Sequence, residues 1–209
     1  MADTGWVSAG LGQSIAKGAT VWSTPTRVYT SDGSYAEAAM PLEGASHWLR
    51  TTTYGFSIPA GSTIDGIEVR FEKRAQTSST VKDWDTKIVK AGSEQGSDYG
   101  QSWWPTSDTY VYYGGAADKW GLTWTPAEIN ASNFGVSISA RNYDMQSRYA
   151  LVDHVQIKVY YTEPSTNMKI NIGDVFKDAD EIKINIGDSW KTVTKIQINI
   201  GDVWKTVFG

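Results

Sequence analysis

Apolar and polar residues alternate with a period of two in short segments throughout residues 1–161. In the segment IDGIEVRFEKRA, Ile67, Val69 and Phe71 alternate with charged residues, which places the two sets on opposite faces of a strand. Further candidate strands are LVDHVQIKVYY, FGVSISA, TKIVK, TYVYY and HWLRTT, and turn-forming segments such as SDGS, IPAGS and GGAAD separate them. We therefore predict an all-β domain over residues 1–161, an antiparallel β-sandwich of the jelly-roll type.

One short segment carries a helical signal. In TPAEINAS, Thr125 can cap the first turn, Pro126 suits the first helical position and Glu128 completes a capping box. This pattern predicts a single turn of helix between two strands.

The chain ends with three copies of a 14-residue phrase, which occupy residues 168–181, 182–195 and 196–209. Each copy contains Ile-Asn-Ile, then Gly-Asp, then a segment with one Phe or Trp, an order typical of a β-hairpin. A lone hairpin of this size is marginal in water, but three can share one core. We predict a small module of three hairpins, joined to the sandwich by a polar linker at residues 162–167.

The loop length within each repeat decides which side chains face each other. A three-residue loop, the preferred interpretation, pairs isoleucine with the aromatic residue, whereas a two-residue loop places the aromatic residue beside asparagine. The predicted core and interface residues of the module are Ile172, Ile186, Ile200, Phe176, Trp190 and Trp204.

The residue inventory limits the chemistry available to this chain. There are no cysteines and only two histidines, which excludes disulfides and thiolate chemistry and leaves little for a metal site. The net charge is -4 with scattered basic residues, whereas nucleic-acid binding needs a basic stripe. No segment approaches a membrane span, and the start MADTG lacks the features of a signal peptide. We expect a soluble protein made in a cytoplasm, with no cofactor, no metal, no nucleic-acid partner and no membrane partner.

Two aspartates in VKDWDTK are candidates for chemistry. Asp83 and Asp85 are two residues apart, which predicts that both lie on one face of a strand. A calcium site or the carboxylate pair of a glycosidase would use that arrangement, but a solvated outer face is the favoured interpretation. Asp32, in SDGS, is interpreted as a turn residue rather than an ion ligand.

Neither histidine has the sequence setting of a catalytic residue. Asp153 and His154 are adjacent, but no Gly-x-Ser-x-Gly elbow supplies a nucleophile, and His154 falls on the polar face of its predicted strand. His47 has no acidic neighbour in the sequence, so a histidine satisfied by ordinary contacts is expected there. We predict that the protein has no catalytic residues and is not an enzyme.

Aromatic residues are concentrated between positions 103 and 124, where four tryptophans and three tyrosines occur. Such residues fill cores, form protein interfaces or stack on sugar rings, and all three interpretations stay open. If TYVYY is a strand, Tyr110 and Tyr112 point to the same side. The candidate contact residues for a protein or glycan partner are Trp103, Trp104, Tyr110, Tyr112 and Tyr113.

Several phrases of the first domain resemble a β-sandwich domain found in virion structural proteins of tailed bacteriophages and their proviruses. They are WSTPTRVYTSDGSYAEAAMP, FSIPAGSTIDGIEVRFEKRA, WPTSDTYVYYGG, WGLTWTPAEINASNFGVSISARN and VDHVQIKVYYTE. The resemblance covers roughly residues 20–161. The C-terminal repeat is similar to phrases at the C-termini of phage and provirus structural proteins. The resemblance implies a structural or adhesive role and supplies no catalytic motif.

The resulting expectation is a non-enzymatic structural protein of a tailed-phage virion, assembled in the host cytoplasm and bound to capsid or tail proteins. A capsid decoration or head fibre and a tail-associated component both fit. A homo-oligomer is expected, and a trimer follows by analogy with threefold fibres, spikes and decorations. The alternative is a carbohydrate-binding adhesin for host surface glycans, and a polysaccharide depolymerase is a third, weaker interpretation.

Overall fold

The structure is a computed structural model that describes residues 1–100, 102–164, 169–172, 175–178, 183–186, 189–193, 196–200 and 203–208. The chain separates into two compact units, Met1–Glu163 and Pro164–Gly209. The predicted linker, residues 162–167, falls at this division.

Strands dominate the described part of the first unit, which also contains a 3₁₀ turn at Pro25–Val28 and an α-helix, α1, at Pro126–Asn130. In chain order its strands are β1 (Ala2–Asp3), β2 (Val7–Ser8), β3 (Leu11–Ile15), β4 (Ala36–Met40), β5 (Trp48–Thr52), β6 (Thr63–Ala75), β7 (Val81–Lys90), β8 (Ser93–Gln95), β9 (Thr109–Gly115), β10 (Gly135–Asn142) and β11 (Arg148–Thr162).

These strands pair antiparallel and form two sheets. Sheet I has the order β1-β11-β6-β9, with β2 and β4 also paired to β11, and sheet II has the order β3-β5-β10-β7-β8. Inward residues of both sheets belong to one apolar core, so the unit is all-β and consistent with the predicted β-sandwich. The jelly-roll connectivity stays a prediction.

Strand β6 shows how the sequence pattern builds this core. Its residues Ile67, Val69 and Phe71 are fully buried, as their alternation with charged residues predicts. The buried series continues with Lys73 and Ala75, both of which are also inaccessible to solvent. The pattern of β6 therefore places one lysine in the core.

The central strand β10 is buried on both faces, which simple alternation does not predict. Ser137 and Ser139 are as inaccessible as the apolar residues between which they lie. Ser137 donates a 2.9 Å hydrogen bond to Glu94 Oε1, and Ser139 donates one of 2.9 Å to the Ser46 carbonyl. Side chains and loops thus cover part of the outer face of sheet II.

The predicted helix is confirmed with its capping box. Thr125 is the N-cap residue of α1, and its hydroxyl accepts a hydrogen bond from the Glu128 backbone amide at 3.3 Å. The Glu128 carboxylate in turn accepts from the Thr125 amide at 2.9 Å. Pro126 follows the cap, where its missing N–H leaves no donor unsatisfied.

Five strands of the first unit were not predicted. Strands β1, β2 and β8 have two or three residues, and a segment that short cannot display a period of two. Strand β3 has the sequence LGQSI, and its small and polar residues hide the alternation. Strand β4 has the sequence AEAAM, in which burial alternates but polarity does not because Ala39 is exposed.

Each C-terminal repeat contains one antiparallel pair of strands. The pairs are β12 (Lys169–Ile172) with β13 (Val175–Asp178), β14 (Lys183–Ile186) with β15 (Ser189–Thr192), and β16 (Ile196–Ile200) with β17 (Val203–Phe208). In the first pair, Ile172 is opposite Val175 and Asn171 is opposite Phe176, and the other two repeats have the same register.

This register corrects the preferred interpretation of the repeats. The three-residue loop was wrong, because the aromatic positions lie opposite asparagine rather than opposite isoleucine. A two-residue connection is favoured physically because its twist matches that of the flanking strands. The Gly-Asp residues, and the side chains predicted to form the module's core, lie outside the described residues. Packing of the three repeats around a shared core stays a prediction.

The contact between β10 and β5 generates a test of the fold. A Cβ atom added at Gly135 would lie 1.8 Å from the Thr51 carbonyl oxygen, so Gly135→Ala must push the two paired strands apart. We expect a loss of about 1–3 kcal/mol in the free energy of unfolding, the usual cost of overpacking, measured by urea denaturation. Gly115→Ala is the matched control, because a Cβ there meets nothing within 4 Å. Equal stability of the two variants would contradict the close approach.

Candidate contact surfaces and a buried polar cluster

The five aromatic residues predicted as one contact set lie in three places. Trp104 and Tyr113 are buried, so their prediction as direct contact residues was wrong. For Tyr113 the reason is strand parity, since it follows Tyr112 in β9 and points to the opposite, core-facing side. Tyr110 and Tyr112 lie on the outer face of sheet I, and Trp103 lies beside β7 in sheet II.

Tyr110 and Tyr112 share one side of β9, as predicted, and form an outer-face cluster with Trp6 and Arg70. The Arg70 guanidinium carbon lies 4.3 Å from the ring centre of Trp6 and 4.2 Å from that of Tyr110. Tyr112 meets Trp6 edge-on, with ring centres 5.8 Å apart, and is 52% exposed. The cluster therefore presents the exposed ring of Tyr112 beside the Arg70 guanidinium, which the rings of Trp6 and Tyr110 hold in place.

A second exposed group, the edge patch, consists of Trp103, Tyr143, Lys82 and Arg141. The two aromatic rings are 5.7 Å apart at an angle of 74°. Lys82 Nζ lies 4.3 Å from the Trp103 ring centre, and the Arg141 guanidinium carbon lies 5.5 Å from that of Tyr143. Trp103 and Tyr143 are 44% and 51% exposed. Sequence reasoning missed Tyr143, although it lies in the turn-like segment RNYDMQS.

A buried polar cluster lies between the two sheets and consists of Lys73, Asp83, Tyr113 and Trp104. The side chains of Lys73 and Asp83 have no solvent exposure. Lys73 Nζ contacts both Asp83 Oδ1 and Tyr113 Oη. Trp104 Nε1 donates to Asp83 Oδ1 at 2.7 Å, and Tyr113 Oη donates to Asp83 Oδ2 at 2.7 Å. The Asp83 carboxyl group is thus held by donors on both oxygens.

Burial dominates the electrostatics of this cluster. It lowers the pKa of Lys73, and the attraction of Asp83 opposes that change. Burial also raises the pKa of Tyr113 well above its ordinary value, and the nearby Asp83 charge adds to the rise. Tyr113 is therefore a neutral hydrogen-bond donor at physiological pH. Removing an ammonium and a carboxylate from water costs several kcal/mol for each ion. Their mutual contact and the hydrogen bonds with Tyr113 and Trp104 oppose that cost.

Asp83 and Asp85 do not share a face, so that prediction was wrong. The register between β7 and β10 shifts, because Ala140 is opposite Asp83 while Ser139 is opposite Asp85. The extra residue, Trp84, forms a β-bulge that turns the following side chains over. Asp83 faces the core and Asp85 faces outward, which excludes a shared carboxylate site. Asp83 lies two residues after the apolar Val81, so alternation along β7 could have predicted that Asp83 is buried. Nothing in the sequence signals the bulge.

Asp153 and His154 are adjacent in β11, but their side chains have different hydrogen-bond partners. The His154 ring lies 2.8 Å from Ser8 Oγ through Nε2 and 2.8 Å from Tyr110 Oη through Nδ1. The Asp153 carboxylate instead accepts the backbone amides of Asp32 and Gly33 at 3.3 and 2.9 Å. His154 is 8% exposed, so the expected polar face of β11 is covered at this point.

Asp32 and His47 have the ordinary structural contacts that the sequence predicts. Asp32 Oδ1 accepts the Ser34 backbone amide at 2.9 Å, which lowers the pKa of Asp32 and identifies it as a turn residue. His47 Nδ1 lies 3.2 Å from Ser14 Oγ.

Other features of a small-molecule site are sparse over the described residues. No group of three or more His, Asp or Glu side chains in that part of the chain could hold a metal ion. No helix found there is long and apolar enough to cross a membrane. A shallow cavity of about 180 Å³ lies between Thr4 and the segment 55–58, and Tyr161 is its one titratable residue.

Comparisons with known proteins give few matches. No protein-family model matches this chain, and a search of curated proteins gives no match. One solved structure that it resembles is described as "CBM4 structure and function". The two are 15% identical, with 73% of this chain and 93% of that chain covered and a TM-score of 0.35. At that TM-score the likeness carries no argument about function.

The covered position of His154 generates a pH prediction. Burial lowers the pKa of His154; Glu72 and Asp153 raise it, and Arg70 lowers it further. Because the folded state favours the neutral ring, its contribution to stability is present above the ordinary histidine pKa of about 6.5 and is lost as the pH falls below it. We expect the free energy of unfolding to decrease between about pH 7.5 and 5.5.

The measurement is a series of urea titrations across that pH range. His154→Gln should flatten the pH dependence, because the group that titrates is removed. His47→Gln serves as the matched control and should retain it. An unchanged slope in the His154 variant would show that another group is responsible.

Proposed function

We propose that the protein is a non-enzymatic structural component of a tailed-phage virion that acts through contacts with capsid or tail proteins. Sequence resemblance over residues 20–161 supports this class of particle. The observation that carries the contact role is the edge patch, whose Trp103–Tyr143 pair is exposed.

The chemistry of the edge patch favours a protein partner. Trp, Tyr, Met and Arg are enriched at the centres of protein interfaces, and Trp, Tyr and Arg are frequent hot spots. The rings of Trp103 and Tyr143 are steeply inclined at 74°, so they form a corner and not a flat platform. Lys82 also occupies a position over the Trp103 ring. A pocket or knob on a protein fits such a corner better than the broad face of a sugar ring does.

The C-terminal repeats have a complementary role in this proposal. Since each two-stranded pair would be marginal alone, we place the three pairs around one shared core and assign the module a second contact surface in the particle. A homo-oligomer, with a trimer as the expected form, is part of the same proposal and rests on analogy with threefold virion components.

The test uses phage particles from a strain that carries this gene. We expect the protein in purified particles by mass spectrometry, and antibody labelling should locate it on the head or the tail. A variant with Trp103→Ala and Tyr143→Ala should be incorporated at least about tenfold less, because loss of two hot-spot residues costs about 2 kcal/mol or more.

The matched control is Tyr149→Ala, which removes an exposed tyrosine, 37% accessible, outside the edge patch. Its incorporation should equal that of the unmodified protein, and circular dichroism should show all variants folded. Absence of the unmodified protein from purified particles would refute the virion role. Equal incorporation of the double variant would refute the edge patch as the contact.

The outer-face cluster favours a second candidate function, the binding of host surface glycans. Tyr112 exposes 52% of its surface next to Trp6, and sugar rings stack on such faces. Arg70 Nε donates to Gln156 Oε1 at 2.8 Å beside the same rings, so a guanidinium group lies near the stacking surface. This arrangement suits a carbohydrate-binding module.

A glycan array, followed by quenching of tryptophan fluorescence with each bound polysaccharide, tests this second function. If it holds, Tyr112→Ala should weaken binding about tenfold, since ring stacking contributes on the order of 1 kcal/mol or more. Tyr149→Ala should leave binding unchanged. No response to any glycan from folded protein would leave the purely structural role, and polysaccharide turnover would contradict both proposals.

A further inference from the structure

An amine and a carboxyl group are in contact in the core of the first unit. Lys73 in β6 and Asp83 in β7 are in direct contact, and neither side chain has any solvent exposure. The two residues belong to different sheets. We propose that Lys73 and Asp83 react with each other in the folded protein to form an isopeptide bond that cross-links sheet I to sheet II. This proposal is independent of the virion and glycan roles.

Exclusion of water makes the reaction feasible. In water, hydration stabilises an ammonium and a carboxylate as ions, and the ammonium has no free electron pair. In the core that hydration is lost, which lowers the free energy needed to convert the ion pair into a neutral amine and a carboxylic acid. Burial lowers the pKa of Lys73, in agreement with this argument. The neighbours Trp104 and Tyr113 are 2% and 5% exposed, so little water can reverse the reaction.

Tyr113 is placed to move the protons. Its hydroxyl contacts Lys73 Nζ and donates to Asp83 Oδ2 at 2.7 Å, so a proton can pass from Nζ through Oη to Oδ2. That transfer leaves a neutral amine beside a carboxylic acid whose hydroxyl oxygen is Oδ2. Tyr113 is therefore a relay between the group that loses protons and the group that gains them.

Trp104 is placed to stabilise the charge that develops on the other oxygen. When the Nζ electron pair forms a bond to Asp83 Cγ, negative charge collects on Oδ1. Trp104 Nε1 donates to that oxygen at 2.7 Å, which is the geometry of an oxyanion-stabilising donor. The donor is fixed before the reaction, because the indole is buried.

The step balances without any co-reactant. The C–N bond forms between Asp83 Cγ and Lys73 Nζ, and the bond from Cγ to Oδ2 breaks. A second proton passes from nitrogen through the Tyr113 hydroxyl to Oδ2, which leaves as water. The ammonium and the carboxylate thus become one neutral amide and one water molecule, and nothing is oxidised or reduced. The product removes two buried ionic groups from the core.

The test is mass spectrometry of the full-length protein. The folded protein should weigh less than its sequence by one water molecule, about 18 Da. After trypsin, residues 71–74 (FEKR) and 83–87 (DWDTK) should appear as one branched peptide that lacks the mass of one water. Fragmentation of this peptide locates the bond between Lys73 and Asp83. That peptide separates the proposed bond from loss of water at any other aspartate.

Variants distinguish the cross-link from an ordinary ion pair. Lys73→Arg keeps the positive charge but cannot form the bond, so its mass should equal that of its sequence. Tyr113→Phe removes the relay and should reduce the cross-linked fraction at least tenfold. Lys90→Arg is the matched control in β7, and it should keep the branched peptide.

Unmodified protein at its full sequence mass, with trypsin cleaving freely after Lys73, would overturn the proposal. So would an equal loss of water in Lys73→Arg. The peptide evidence from the unmodified protein decides the matter even if the Lys73 variant fails to fold.

Discussion

One continuous layer from which water is excluded holds the first unit together. Sheets I and II both contribute their inward side chains to this layer, and the area removed from water supplies most of the stabilisation. This layer also contains a lysine and an aspartate. Their burial destabilises the fold unless each polar atom has a hydrogen-bond partner. Lys73 and Asp83 meet that condition through each other, Tyr113 and Trp104.

The same buried cluster positions a surface feature. Trp104 and Trp103 are adjacent in a segment that runs beside β7, where the Trp104 amide donates to the Val81 carbonyl at 2.9 Å and Trp103 bridges to Lys82. Trp104 points inward and bonds Asp83, so Trp103 is held outward in the edge patch. A rigid anchor of this kind lowers the entropy lost when an exposed aromatic residue binds a partner.

Much of the architecture could be predicted from local sequence. The alternation in β6 and the capping box of α1 are properties of neighbouring residues, and both were confirmed because the forces behind them act within one element. The short strands and the bulge at Trp84 could not be predicted in the same way. They depend on the partner strand, and no local pattern records that partner.

The candidate surfaces separate what local sequence predicts from what depends on the tertiary structure. The sequence by itself determined that Tyr110 and Tyr112 point the same way, that the chain is rich in aromatic residues without cysteine, and that it contains three copies of one 14-residue phrase. Only the tertiary structure decided that Trp103 is exposed while Trp104 is buried, and that Asp83 meets Lys73 across two sheets. Exposure and contact across a core depend on residues distant in sequence, whereas side-chain direction along a strand depends on geometry repeated at every second residue.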